Sequence, residues 1–194
     1  MTTETYTYEL VKGTHPAYAN NIDRYRFYND SYIGGDDYAN GSYLPHFVYE
    51  DGNDYAKRIA STPLANHCRN IIQIYTSFLF GKEPRRDYAG IDIDPSLDSF
   101  LMDADLEGRD FSAFMRDASI QSSIYGASVI LVDRPSTQAD TLEDELTAGI
   151  RPYVSLVSAE NVIDWRFERQ ANGHFKMTML KIMEEGTRDS QTFR

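Results

Sequence analysis

One cysteine in 194 residues is too few for an intrachain disulfide framework or a thiolate zinc cluster, and it fits a reducing compartment, with cytosolic synthesis the default. Basic blocks are also missing. With 19 basic against 30 acidic side chains the formal net charge is −11, which disfavours a protein that grips phosphate backbones by counterion release. DNA could pass such a protein without being held. The longest apolar run, around "FLF" at 78–80, is far short of the ~20 residues that span a bilayer, so no membrane association is expected. The opening "MTTETYTYELVKG" is neither basic nor followed by an apolar stretch, so it does not read as a secretory signal. There is no internal repeat and no low-complexity tract.

What is present is globular in kind: 41% hydrophobic and 13% aromatic residues suffice for one substantial core or two small ones. Fourteen of the residues are tyrosines, which combine an apolar body with a polar tip and suit partly wet surfaces where subunits meet. Tyr18, Ile22, Tyr25, Tyr28 and Tyr32 recur at helical spacing, with Thr14 as the expected cap, Pro16 in the first turn and Gly34-Gly35 as the stop. The following "DDYANGSYLPHFVYEDGND" reads as an ordered aromatic loop and "DYAKRIAST" as a short helix. In "NHCRNIIQIYTSFLFGKEP", Leu64, Cys68, Ile71, Ile72, Tyr75, Phe78 and Leu79 form one apolar stripe, which predicts a buried helix. "PSLDSFLMDAD" gives another short helix, and Phe111, Phe114, Met115, Ala118 and Tyr125 a longer one ending at Gly126.

After Gly126 the pattern turns to strands. "ASVILVD" is β-branched and nearly all apolar, as a strand covered on both faces would be. A polar excursion, "RPSTQADTLEDELTAGI", leads to "RPYVSLVS", "NVIDWRF" and "HFKMTMLKIMEE", the last two joined through Asn172-Gly173, a hairpin signal. In the final run Phe175, Met177, Met179, Lys181 and Met183 share one face, predicted mainly apolar. The fold class is therefore α+β: a single body over 1–194, mainly helical in 1–126, with an antiparallel β-sheet in 127–185. The closing "EEGTRDSQTFR" restarts a polar turn, as in a chain cut short.

Several stretches imitate catalytic motifs. Cys68 next to His67 suggests a thiolate pair, yet helix neighbours point about 100° apart, and Cys68 falls on the apolar stripe as a small core residue. Gly81-Lys82 has no earlier glycine and is followed by Glu83, so it reads as a helix stop and not as a phosphate loop. The aspartate ending "VILVD", Asp133, resembles a magnesium ligand of nucleotide hydrolases but lacks the phosphate loop such a site requires. Asp103, Asp105, Glu107 and Gly108 copy the start of a calcium loop, but Phe114 stands where the bidentate glutamate belongs, and Asp110 reads as a helix cap. His15, His46, His67 and His174 have no metal-site spacing, and Asp92 with Asp94 is a chance pairing among thirty acids. No catalytic, cofactor-binding or metal residue is assigned, and the chain is not expected to be an enzyme.

Four segments in order, "YIGGDDYANGSYLP", "YAKRIASTPLANHCRNIIQIYTSFLFGKEP", "YGASVILVDRP" and "RPYVSLVSAENVIDWRF", resemble the N-terminal wing portion of portal proteins of tailed bacteriophages. The similarity covers roughly residues 15–183 and rests on a tyrosine-glycine loop, an "R-x-x-x-T-P-x-x-N" helix start, a "GxxxxLVDxP" strand and the segment with Glu160, Asn161, Asp164 and Trp165. The resemblance implies a structural virion protein: a homo-oligomeric ring, usually a dodecamer, at one capsid vertex, serving as head-tail connector and channel for DNA packaging and ejection. It implies contacts with the major capsid protein, a head-tail adaptor and, transiently, the packaging terminase, with double-stranded DNA passing through without tight binding. Portal stem and clip regions lie beyond the part that matches, so the chain reads either as a fragment of a longer portal or as a short protein keeping only the wing. The alternative is a stand-alone head or tail accessory module without a channel.

Overall fold

The computed structural model describes residues 13–40, 43–61, 66–86, 95–135 and 147–183, together with 141 and 144. Helices precede strands and the strands pair antiparallel, which is the α+β organisation. The chain divides into two compact units, one formed by 1–26 with 158–194 and the other by 27–157. Helix α1 (Pro16–Ile33) contributes to both.

In the first unit, His15 and not Thr14 caps α1: its Nδ1 accepts the Ala17 N–H at 3.1 Å. Pro16, the first helical residue, lacks an N–H, so the nearest donor the preceding side chain can satisfy is that of Ala17. The His15 ring stacks on Trp165 with centroids 4.1 Å apart, and the His15 backbone N–H donates to the Ile163 carbonyl. A 3-10 turn over Ala159–Asn161 leads into strands β3 (Val162–Arg169) and β4 (Phe175–Ile182), joined through Gly173 at φ +85°. Asn172 Oδ1 accepts the His174 N–H, so the turn follows the expected Asn-Gly chemistry. The expected apolar face of β4 is not buried: Phe175 is 71% and Met177 44% exposed. Burial instead increases along the strand, away from the turn, and bulges between Val162 and Asp164 and between Arg166 and Phe167 interrupt the facing pattern of β3.

In the second unit, Gly34 and Gly35, both at positive φ, end α1 and start α2 (Gly35–Asn40). The first part of the expected aromatic loop is thus helical, where Tyr38 meets Tyr43 and Phe27. Helices α3 (Gly52–Ser61), α4 (His67–Leu79), α5 (Pro95–Met102) and α6 (Phe111–Tyr125) follow. The core is small: Ala104, Phe114 of α6 and Val154 are buried together, with Phe100, Phe111, Met115 and Leu156 packed around them. Strands β1 (Val129–Asp133) and β2 (Tyr153–Val157) pair antiparallel with Leu131 opposite Ser155. The expectation that β1 is covered on both faces does not hold. Ile130 and Val132, 36% and 73% exposed, face outward, so its apolar run alternates between a covered and an open side.

Candidate interaction surface

Helix α4 carries the largest departure from the sequence pattern. Asn66 caps it, its Oδ1 accepting the Arg69 N–H at 3.0 Å while its amide donates to the Tyr32 carbonyl at 2.7 Å. Arg69 lies over the Tyr32 ring, and at the other end Glu83 and Arg86 both bond the Ser112 hydroxyl on α6. These ties fix the rotation of the helix. Ile72, Thr76 and Phe80, spaced i, i+4 and i+8, form the inward edge, with Thr76 fully buried. Of the predicted stripe Ile72 lies on this edge and Leu64 lies outside the described residues, while the rest faces out: Ile71 is 52%, Tyr75 68%, Phe78 83% and Leu79 70% exposed, and Cys68 is exposed with them.

An open, shallow hollow of about 570 Å³ lies against one face of this helix, lined by Asn70, Gln73, Ile74, Ser77 and Phe78, all of α4 itself. Apolar and amide side chains alternate in it. Ile74 and Phe78 offer apolar area there, and Asn70, Gln73 and Ser77 offer hydrogen-bonding groups.

A second exposed apolar group lies on the turn before α3. The Arg58 guanidinium donates to both Glu50 carboxylate oxygens at 2.7 Å, donates again to the Pro45 carbonyl at 2.8 Å, and covers the Phe47 ring at 4.5 Å. The Tyr55 hydroxyl donates to the Leu44 carbonyl, and the Glu50 N–H closes the turn on the Phe47 carbonyl. The Arg58 hydrogen bonds hold the Glu50 carboxyl down at about 2. This clamp presents Val48 at 89% and Tyr49 at 100% exposure. Sequence reasoning marked the loop as aromatic but missed the clamp, since an arginine eight residues after a glutamate carries no signal of its own.

The motif mimics resolve into local structure. Asp103 accepts the Gly108 N–H and pairs with Arg151 at 2.7 Å, while Asp105 accepts the Glu107 and Arg109 N–H groups. Burial would raise the Asp105 pKa, but those N–H bonds and the Arg109 guanidinium outweigh it and lower it. Asp110 Oδ1 accepts the Ser112 and Ala113 N–H groups as the cap of α6, as expected. Asp103 and Asp105 of the would-be calcium loop thus close a turn by accepting its N–H groups. No group of three or more potential metal ligands occurs among the described residues. Gly81 follows the end of α4, where a Cβ would lie 2.9 Å from the Ser77 carbonyl oxygen, so glycine is required by space. Asp133 caps the Arg134 N–H and accepts the Tyr153 hydroxyl at 3.3 Å. His46 packs edge-on against Tyr55, while His67 opens α4 and is exposed. Asp92 and Asp94 lie outside the described residues. No protein-family model and no curated protein matches the chain. No helix among the described residues is long and apolar enough to cross a membrane.

Proposed function

We propose that the chain is a structural subunit of a tailed-phage portal, forming part of its wing and working through contacts between copies and with neighbouring virion proteins. The observation that carries this reading is the exposed apolar face of α4, held outward by tethers at both of its ends. A helix face with Ile71, Tyr75, Phe78 and Leu79 in water is costly in a free monomer and useful in an assembly, where aromatic side chains supply much of the binding energy. Three further features support it: the ordered sequence motifs, the α+β build with helices first, and the net charge of −11. An acidic subunit repels phosphate over roughly 8 Å at physiological salt, which suits a passage that must not hold its cargo.

In this role the ring, of about twelve copies by the resemblance, is the conduit for DNA packaging and ejection and the point of tail attachment. Electron microscopy of the protein expressed from its whole reading frame tests the proposal. Rings with a central hole are expected. A strictly monomeric particle at high concentration would refute it, and a defined complex with another head or tail protein without rings would instead indicate an accessory module.

A further inference from the structure

We propose that Asn172 is a site of spontaneous covalent modification, where the chain's own backbone converts the side-chain amide to aspartate or isoaspartate at a rate set by the hairpin turn. This chemistry belongs to the single chain and does not depend on the ring assembly proposed above. An asparagine amide is attacked by the backbone nitrogen of the residue that follows it, and a side chain on that residue hinders the approach. Gly173 has no side chain, and every residue from Arg166 to Thr178 is exposed, so water reaches both reacting groups. Asn21, Asn70 and Asn161 lie in helical turns and precede the β-branched Ile22, Ile71 and Val162. Asn40 also precedes a glycine, Gly41, but that residue lies outside the described ones.

The turn both prepares the reaction and holds it back. Asn172 Oδ1 accepts the His174 N–H at 3.1 Å, which polarises the Cγ carbonyl and keeps the side chain folded back along the backbone. The Gly173 N–H donates to the Gln170 carbonyl at 2.9 Å, and the nitrogen attacks only after losing that proton, so this bond must open first. Among the described residues the turn is otherwise closed by the Gln170 N–H on the His174 carbonyl and by Arg169 Nε on the Gly173 carbonyl. An exposed hairpin end tied in this way opens at the low end of a protein's local stabilities. In the open state water or hydroxide takes the Gly173 proton, the nitrogen bonds to Cγ, and the Cγ–Nδ2 bond breaks to release ammonia and leave a succinimide. Water then opens that ring. Cleavage at Cγ gives aspartate, and cleavage at the main-chain carbonyl gives isoaspartate, in which the main chain runs through Cβ and Cγ. Either product adds a negative charge among Arg169, His174 and Lys176, and isoaspartate also lengthens the turn that sets Arg169 opposite Phe175.

The test is peptide mapping by mass spectrometry of the full chain held folded in warm, mildly alkaline buffer, each time point set against a sample digested at the start. Trypsin cuts after Arg169 and Lys176 and releases 170–176, in which Asn172 is the only asparagine. The same peptide, synthesised with blocked ends, is incubated alongside. In both, this segment should gain the mass of an amide-to-acid change, split into aspartate and isoaspartate forms, and convert faster as pH rises. Conversion in the folded chain should be on the order of tenfold slower than in the peptide, as expected where hydrogen bonds of a terminal turn must open. Asn172→Gln, which would have to close a larger ring, should lose the mass gain. No conversion in the chain over many half-lives of the peptide would overturn the proposal. Equal rates in chain and peptide would overturn the control assigned to the turn, and a mass gain that persists in Asn172→Gln would overturn the assignment to Asn172.

Discussion

Replacing Phe114 and Phe78 separately by alanine tests whether α4 is oriented as described. Phe114 is 1% exposed between Ala104 and Val154, so truncation leaves a cavity in a small core and should cost about 3–5 kcal/mol. That is a fifth or more of the stability of a typical domain, about 5–15 kcal/mol. With a urea slope of ~2 kcal/mol/M the unfolding midpoint should fall by about 2 M. Phe78 is 83% exposed and leaves almost no cavity, so Phe78→Ala should lie within about 0.5 kcal/mol of the unsubstituted protein. Urea titrations followed by far-ultraviolet circular dichroism, at two protein concentrations tenfold apart, separate the cases. Self-association through α4 would add a concentration dependence that Phe78→Ala weakens and Phe114→Ala keeps. Equal losses from both substitutions at low concentration would mean that the stripe is buried after all, and the account of α4 given above would fall.

Three other outcomes follow from named contacts. Asp110→Ala removes the acceptor of the Ser112 and Ala113 N–H groups and should cost about 1 kcal/mol by urea unfolding, while Asp110→Ser should recover most of it. The folded-state pKa of Glu50, about 2, lies below its ordinary 4.5, so the clamp stabilises fully above pH ~4.5 and is lost as pH falls toward 2. Thermal midpoints of the unsubstituted protein and Glu50→Gln should therefore differ by a constant amount above pH 4.5 and converge below it; a difference that grows on acidification would contradict this sign. Cys68, exposed on α4, should react completely with a thiol reagent without denaturant, and protection in assembled rings would show that the same face is covered there.

Local chemistry was the legible part of this sequence. Asp110 before α6, Gly126 at its end with φ +79° and Asn172-Gly173 in the hairpin each solve a backbone problem within a few residues, so residue type alone points to the geometry. The face of α6 that carries Phe114, Ala118 and Tyr125 was also readable, because a helix that crosses a core buries its whole stripe. For α4 the same periodicity gave a helix but the wrong environment. Periodicity states which residues share a face and not whether that face meets anything within the chain, and here the rotation was decided by Asn66, Glu83 and Arg86 at the ends. Strand β1 misled for a related reason: β-branched residues suit any pleated surface, including one with an open side. The Glu50 and Arg58 clamp is a contact across a turn between two common residue types, and only the folded loop brings them together.

The stack of His15 on Trp165 has a practical use. Trp165 is the chain's only tryptophan, and it lies against the imidazole whose Nδ1 holds the Ala17 N–H. Its emission therefore reports on one place, the join between the first turn of α1 and the β3–β4 hairpin, without an added label. Loss of that cap changes the immediate surroundings of the indole, so tryptophan emission during unfolding follows this join separately from the Phe114 core.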